Sequence, residues 1–206
     1  MLEGSKQIVI VGAGIGGLTT ALCLKHFGIN ASVYERSNEV TTAGAGIQLS
    51  PNANRVFSRI GLFDEVSALS RRCKGIKVFD YKSNSQLALF DYMKFKQDAA
   101  FLFCKRADLV GILYAACKKL KIPVHFDKKL EKIKNGEVIF SDGNVYSADI
   151  IIGADGLHSN VRKAVIDEET PIFTRQIAWR SIVPNSINQD DFSHVTLAPK
   201  RHLVSY

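Results

Sequence analysis

A chain of 206 residues that is 46% hydrophobic and 23% charged has the balance of a globular protein, able to bury a core as one domain or two small ones. No apolar run approaches the roughly 18 residues of a membrane span, and nothing in the composition is disordered or repetitive. The net charge of +7 attracts anions, but its carriers (Arg71-Arg72, Lys118-Lys119, Lys128-Lys129, Lys200-Arg201) are dispersed and lack interleaved aromatics, so no nucleic-acid partner is expected.

The chain opens on Gln7-Ile-Val-Ile-Val-Gly12-Ala13-Gly14-Ile-Gly16-Gly17. Ile8 to Val11 run without a polar interruption, as in a parallel strand buried on both faces. Gly12, Gly14 and Gly17 then fall at G-x-G-x-x-G spacing. Gly12 permits a tight turn, Gly14 lets backbone approach a pyrophosphate, and Gly17 lets the following helix pack closely on the strand. Leu18, Ala21, Leu22 and Cys23 carry the helical period, and Gly28 stops it. Ala31 to Glu35 is a second strand ending in an acid that can accept hydrogen bonds from a ribose hydroxyl. The spacing predicts a dinucleotide site at a helix N-terminus; the alternative is an ordinary tight βα turn. That strand begins by Gln7 and leaves no room for a signal peptide. Cys23, Cys73, Cys104 and Cys117 form no C-x-x-C pair and read as reduced thiols of a cytoplasmic protein, with no metal site expected.

Residues 41–54 read as a long loop with a second glycine cluster, Gly44-Ala-Gly46-Ile47-Gln48-Leu49-Ser-Pro51-Asn52. Such a loop suits close approach to a flat or anionic ligand, and its alternative is a surface connection. Pro51 starts a helix that Gly61 ends. Gly75–Asp80 and Gln86–Phe90 are expected as an antiparallel pair around the turn at Lys82–Ser85, in a layer apart from the βαβ pattern. Arg106 opens a helix with the apolar face Leu109, Ile112, Leu113, Ala116, Cys117 and Leu120, closed by Pro123. A cation at a helix N-terminus is unfavourable, so Arg106 is either offset by Asp108 or faces an anionic ligand. Three short strands follow at Val124–Phe126, Leu130–Ile133 and Glu137–Phe140, with Asn135-Gly136 and Asp142-Gly143 as hairpin turns; Tyr146–Ala148 completes a meander.

Asp149 to Ile152 repeats the buried-strand pattern and ends in Gly153-Ala-Asp155-Gly156. Ligands of open α/β sheets lie beyond the carboxyl ends of the strands, which puts Asp155 beside the cofactor of the first turn. Ser159 and Arg162 share one face of a following helix. Taken alone, Asp155-Gly156 is as well read as a turn and Arg162 as a solvated charge. Pro171–Pro184, 194–198 and 202–206 are expected as strands that need a partner sheet, and the chain stops inside the last, as the front part of a longer protein would.

Together these motifs resemble the FAD-dependent aromatic monooxygenases, the single-component flavoprotein hydroxylases of the salicylate hydroxylase type, over their N-terminal half. The opening turn with Glu35-Arg36 is similar to that family's first FAD motif, and Gly153-Ala-Asp155-Gly156-Leu-His-Ser159-Asn-Val-Arg162 to its second signature, G-A-D-G-x-x-S-x-V-R. Gly44 to Asn52 resembles the loop beside the flavin, Arg106 with Leu109 the R-x-x-L helix start, and Ala178-Trp179-Arg180 a substrate-domain strand. The family's third flavin motif, G-D-A-A-H, does not occur.

The resemblance implies a Rossmann-like, doubly wound α/β sheet with a β-meander, formed by residues 1–72 and 99–170, and the start of a mixed-sheet substrate domain in 73–98 and 171–206. It implies FAD held by Gly12, Ala13, Gly14, Gly16, Gly17, Glu35, Arg36, Gly46, Gln48, Arg106, Leu130, Asp155, Gly156, Ser159 and Arg162. Gln48 would also line the active site. NAD(P)H would be a visiting cosubstrate with no Rossmann domain of its own, and O2 would be used, through a C4a-hydroperoxyflavin, to hydroxylate a phenol or hydroxybenzoate. No catalytic base can be named; His158 occupies a variable slot of the signature. A homodimer of the full-length protein is compatible with this family. An isoprenoid epoxidase or reductase with a similar first half, or an inactive FAD-binding fragment, are the alternatives.

Overall fold

The computed structural model describes residues 6–40, 44–95, 100–166 and 171–206. The first elements are β1 (Ile8–Val11), α1 (Ile15–His26), β2 (Ser32–Tyr34), β3 (Gly46–Leu49), α2 (Pro51–Arg59), α3 (Phe63–Ala68) and β4 (Ser70–Arg72). Next come β5 (Gly75–Asp80), β6 (Gln86–Asp91), α4 (Tyr92–Phe95), β7 (Leu102–Lys105), α5 (Arg106–Lys119), β8 (Val124–His125) and β9 (Leu130–Lys134). The chain continues through β10 (Glu137–Phe140), β11 (Val145–Ser147), β12 (Ile150–Gly153), α6 (Asn160–Val165), β13 (Phe192–Ala198) and β14 (Arg201–Ser205). Two compact units result: Met1–Ala43 with Leu109–Trp179, and Gly44–Asp108 with Arg180–Tyr206.

The first unit is an α/β fold around a parallel sheet of order β12-β1-β2-β8. Residues of β1 pair with both neighbours, Ile10 opposite Ile152 on one side and Val33 on the other. A strand so enclosed must be apolar on both faces, and all of Ile8 to Val11 is buried. Alternation sends Val9 and Val11 into a cluster with Tyr34, Leu130, Val138 and Phe140, where the antiparallel meander β11-β10-β9 covers the sheet. In the helical layer Leu18 of α1 and Cys117 of α5 are fully buried, the Cys117 Sγ lying 3.9 Å from the Leu18 carbonyl oxygen. Here β8 departs from expectation. It does not join the meander but edges the parallel sheet, Val33 opposite Val124, because α5 is the crossover that returns the chain beside β2.

The second unit holds a mixed sheet, β14-β13-β5-β6, and an antiparallel one, β3-β7-β4. The pair β5–β6 forms as expected, while β13 runs parallel to β5. Two expectations are corrected here. Residues 46–49 of the expected loop are strand β3, with Gly46 opposite Lys105 and Leu49 opposite Leu102; a pairing partner so distant in sequence leaves no local signal. Residues 41–43 of that loop, and 96–99 of the segment before β7, lie outside the described residues. Since β3 and β4 both pair with β7, all three strands lie in this compact unit. The expected strand at 171–184 is also absent: 171–191 forms no strand or helix, and Trp179 is 93% exposed. Its apolar residues have no partner strand among the described residues, and β-propensity without pairing does not make a strand.

Candidate FAD site

In the turn after β1 each glycine meets a different environment. Gly12 takes a φ of +106°, open to glycine, and donates its N–H to the Tyr34 carbonyl at 2.7 Å. A Cβ there would stand 2.4 Å from the Ala154 carbonyl oxygen, so the turn lies directly against the residues that follow β12. A Cβ on Gly17 would stand 1.8 Å from the Gly12 carbonyl oxygen, which fixes how closely α1 approaches its own turn. Around Gly14 and Gly16, by contrast, a Cβ would meet nothing within 4 Å. The N-cap Gly14 offers no side-chain cap, and α1 has no acid in its first turn. The first turn of α1 therefore carries a partial positive charge with no acidic side chain of its own, and there is open space beside Gly14 and Gly16. This cradle fits a pyrophosphate.

Glu35 follows β2 and reaches back to that turn. One carboxylate oxygen accepts from the Ala13 N–H at 2.7 Å, the other from the Ser37 N–H at 3.0 Å. Its backbone is tied to the end of β8, the N–H donating to the His125 carbonyl and the C=O accepting from Lys128 N–H. A carboxylate has about four acceptor sites, so two remain for a ribose. Arg36, next in the chain, is exposed.

Beyond β12, Asp155 turns its carboxylate onto the start of α6. It accepts from the Ser159 hydroxyl at 2.5 Å, the Asn160 N–H at 2.7 Å and the Val161 N–H at 3.2 Å. Ser159 is the N-cap of α6, not a residue within it, and its Oγ accepts the Arg162 N–H at 2.9 Å. The Arg162 guanidinium donates to the Leu157 carbonyl at 2.8 Å and so folds over the loop at Gly156, which has a φ of +82°. A Cβ on Gly153 would come 2.9 Å from the Val161 side chain, so α6 packs close on β12. Leu130 is buried, and its carbonyl accepts from the Asn160 side-chain amide at 2.7 Å. Asn160 thereby ties α6 to the meander, a role whose only signal in the sequence is its place in the signature next to Ser159.

Thus within the first unit the turn residues 12–17, Glu35 and the stretch 153–162 are brought together, Gly12 serving as the hinge of contact. In the second unit Gly46, Gln48 and Arg106 sit on β3 and at the start of α5. The Arg106 N–H donates to the Ala45 carbonyl at 3.2 Å, and its side chain lies 3.0 Å from where a Gly44 Cβ would be. Gln48 is exposed, and a Cβ on Gly46 would stand 2.6 Å from the Tyr206 ring, a neighbour 160 residues away with no local signal.

A family described as "FAD binding domain" matches residues 5–200. The chain belongs to that FAD-binding family. Among curated relatives it is 30% identical over its whole length to the 6-hydroxynicotinate 3-monooxygenase of Bordetella bronchiseptica, covering 56% of that protein. It is 32% identical to the 3-amino-4-hydroxybenzoate 2-monooxygenase of Streptomyces cremeus, again over its whole length and 54% of that protein. The chain thus spans about half the length of the curated relatives it matches. Of solved structures, 2-methyl-3-hydroxypyridine-5-carboxylic acid oxygenase is similar with a TM-score of 0.71 and 26% identity, over 78% of this chain and 42% of that one. Klebsiella pneumoniae HpxO, solved with FAD and uric acid, shares the fold at a TM-score of 0.79 and 23% identity, over 98% of this chain and 53% of that one. No helix among the described residues is long and apolar enough to cross a membrane.

Proposed function

We propose that this chain is the FAD-binding part of an NAD(P)H- and O2-dependent monooxygenase that hydroxylates a small aromatic substrate of the phenol or hydroxybenzoate kind. One observation carries the reading: the open N-terminus of α1 lies against the backbone at Ala154-Asp155, so the two flavin signatures meet at one end of one sheet. The names of the relatives, monooxygenases of hydroxynicotinate and aminohydroxybenzoate, support the substrate class.

In this reading the N–H groups of Gly14, Gly16 and Gly17 hold the pyrophosphate, with Gly12 and Ala13 shaping the turn, while Glu35 accepts from the adenosine ribose and Arg36 flanks it. Bound FAD would supply the redox chemistry, taking a hydride from the nicotinamide and activating O2. Asp155 fixes the start of α6 and with it Gly156, Ser159 and Arg162, whose guanidinium closes the loop over the cofactor. The Leu130 backbone borders the adenine side. Gly46, Gln48 and Arg106 also contact FAD, and Gln48 lines the active site. The residues of 1–72 and 99–170 serve the cofactor, and those of 73–98 and 171–206 begin the substrate domain. We place the complete protein in the cytoplasm, as a homodimer.

Two measurements test this. The chain should retain yellow flavin after gel filtration, and Glu35→Ala should weaken FAD binding by about tenfold, ~1.4 kcal/mol. In the complete protein a phenol or hydroxybenzoate from a panel should stimulate NAD(P)H oxidation and yield a hydroxylated product. Flavin retention without stimulation by any member would leave FAD binding standing and sink the hydroxylase.

A further inference from the structure

At the opposite end of the parallel sheet lies a cleft of about 490 Å³ that the flavin chemistry does not use. It opens at the amino ends of β1 and β2 and beside Pro123, which leads into β8. The last turn of α1 and the strand β11 flank it. Its lysines lie toward the amino ends of β1 and β2 and the Gly12 turn at the carboxyl end, although Tyr34, which lines the cleft, also accepts the Gly12 N–H on its carbonyl at 2.7 Å. The volume is in the range that takes one small organic ligand.

Its lining has one sign of charge. Lys6, Lys25 and Lys121 surround it, and no carboxylate is among the lining residues. Lys25 donates to the Asn30 side-chain carbonyl at 2.9 Å, and among the described residues none of the three lysines is paired with an acid. The hydroxyl-bearing residues Ser32, Tyr34 and Tyr146 also line it. The Tyr34 phenol is pushed up by burial and by the neighbouring Tyr146 phenol, while a hydrogen bond from Ser32 acts the other way, so these hydroxyls are close neighbours. The remaining wall is apolar and partly aromatic: Ile8, Val9, Ile122 and Pro123, beside the Tyr34 and Tyr146 rings with centroids 5.0 Å apart. Ammonium and hydroxyl donors over a flat apolar wall suit an oxyanion carried on a ring better than a bare inorganic anion.

The geometry points to a second ligand site in this cleft, for a small aromatic carboxylate held by Lys25 and Lys121 against Tyr34 and Tyr146. It is separate from the flavin turn and does not depend on the activity proposed above.

The test is a titration of the chain with benzoate, and separately with inorganic phosphate, read by backbone amide shifts. Benzoate should bind saturably and shift the amides of Ser32, Ile122 and Ser147, with phosphate much weaker there. Lys121 has a φ of +54°, so Lys121→Gly removes the ammonium at a backbone conformation that glycine adopts without strain, and an unchanged urea midpoint separates lost binding from lost folding. Lys121→Gly combined with Lys25→Met should weaken benzoate by at least about fivefold and leave FAD binding unchanged. No saturation by about 10 mM benzoate, shifts confined to other regions, or affinity indifferent to the two substitutions would overturn the site. Phosphate binding there as tightly as benzoate would overturn the aromatic ligand class.

Discussion

Gly14 and Gly17 stand three residues apart in one turn and answer to opposite constraints. A methyl on Gly17 must displace the Gly12 carbonyl, which is backbone and cannot swing aside. We expect Gly17→Ala to cost about 3 kcal/mol of stability, seen as a lower urea midpoint of the apoprotein. A methyl on Gly14 enters open space at an ordinary φ of −75°, so Gly14→Ala should keep or raise apoprotein stability by up to ~1 kcal/mol. If the proposed cradle holds FAD, it should still weaken FAD by about tenfold, ~1.4 kcal/mol, because the methyl would take the pyrophosphate's place. If both variants lose stability equally, the open cradle at Gly14 is wrong. The division of labour among these glycines was legible in the sequence because G-x-G-x-x-G spacing encodes it. Glu35's clamp on Ala13 was not, since a ribose-binding acid and a turn-binding acid are the same residue in the same place.

Cys117 gives a pH dependence at the same scale. It is fully buried, and burial pushes its thiol from 9.0 up to about 12. The folded chain therefore favours the neutral thiol more than the unfolded chain does. Its contribution is whole below about pH 9 and is lost as pH rises from there toward 12. The fall in urea midpoint between about pH 8.5 and 10.5 should be smaller in Cys117→Ala than in the parent chain. Native Cys117 should also resist thiol reagents at pH 8 and react only on denaturation.

Helix α6 shows how an element can be legible in outline and hidden in mechanism. The string from Gly153 to Arg162 announces a strand, a turn and a helix. It does not say that the acid in the turn holds up the helix. With only six residues, α6 gains little from its own hydrogen bonds and depends on its start. Asp155 supplies acceptors to the Asn160 and Val161 N–H groups, and Ser159 to that of Arg162. Asp155→Ala should cost about 1–2 kcal/mol, and amide exchange should quicken at Asn160 and Val161 first. Asp155→Asn retains acceptors and should cost less. Equal exchange in parent and variant would show that close packing of Val161 on Gly153, rather than the cap, sustains the helix. Strand β3 is the converse case: its Gly-Ala-Gly-Ile pattern reads as a loop until β7, far along the chain, supplies the other half of the ladder.

For the molecule as a whole, the parallel order of the first unit follows from what the sequence displays: two apolar strands ending in glycine signatures, with helices between them. The second unit was harder to foresee because its mixed sheet joins segments from both sides of α5, and pairings of that kind are fixed by tertiary packing. The expected strand at 171–184 misled for the same reason, its Ile, Phe and Trp promising a strand that 171–191 does not form. Instead Ile172, Ile177, Trp179 and Val183 are 89%, 73%, 93% and 72% exposed. Proteases need an extended, accessible backbone, so this segment should be cut well before any element. Trypsin has two targets inside it, Arg175 and Arg180, both exposed and neither followed by proline. Under brief digestion the first bonds broken should be those after Arg175 and Arg180, identified by fragment mass, with Lys118 and Lys119 at the end of α5 cut later. Saturating FAD should slow cleavage elsewhere by raising global stability, by about 2.7 kcal/mol at a hundred times its Kd. It should leave these two bonds as they were, because local exposure and not global unfolding governs them. Early cuts within α1 or α5 would instead mean that the helical layer opens more readily than its buried Leu18–Cys117 seam allows.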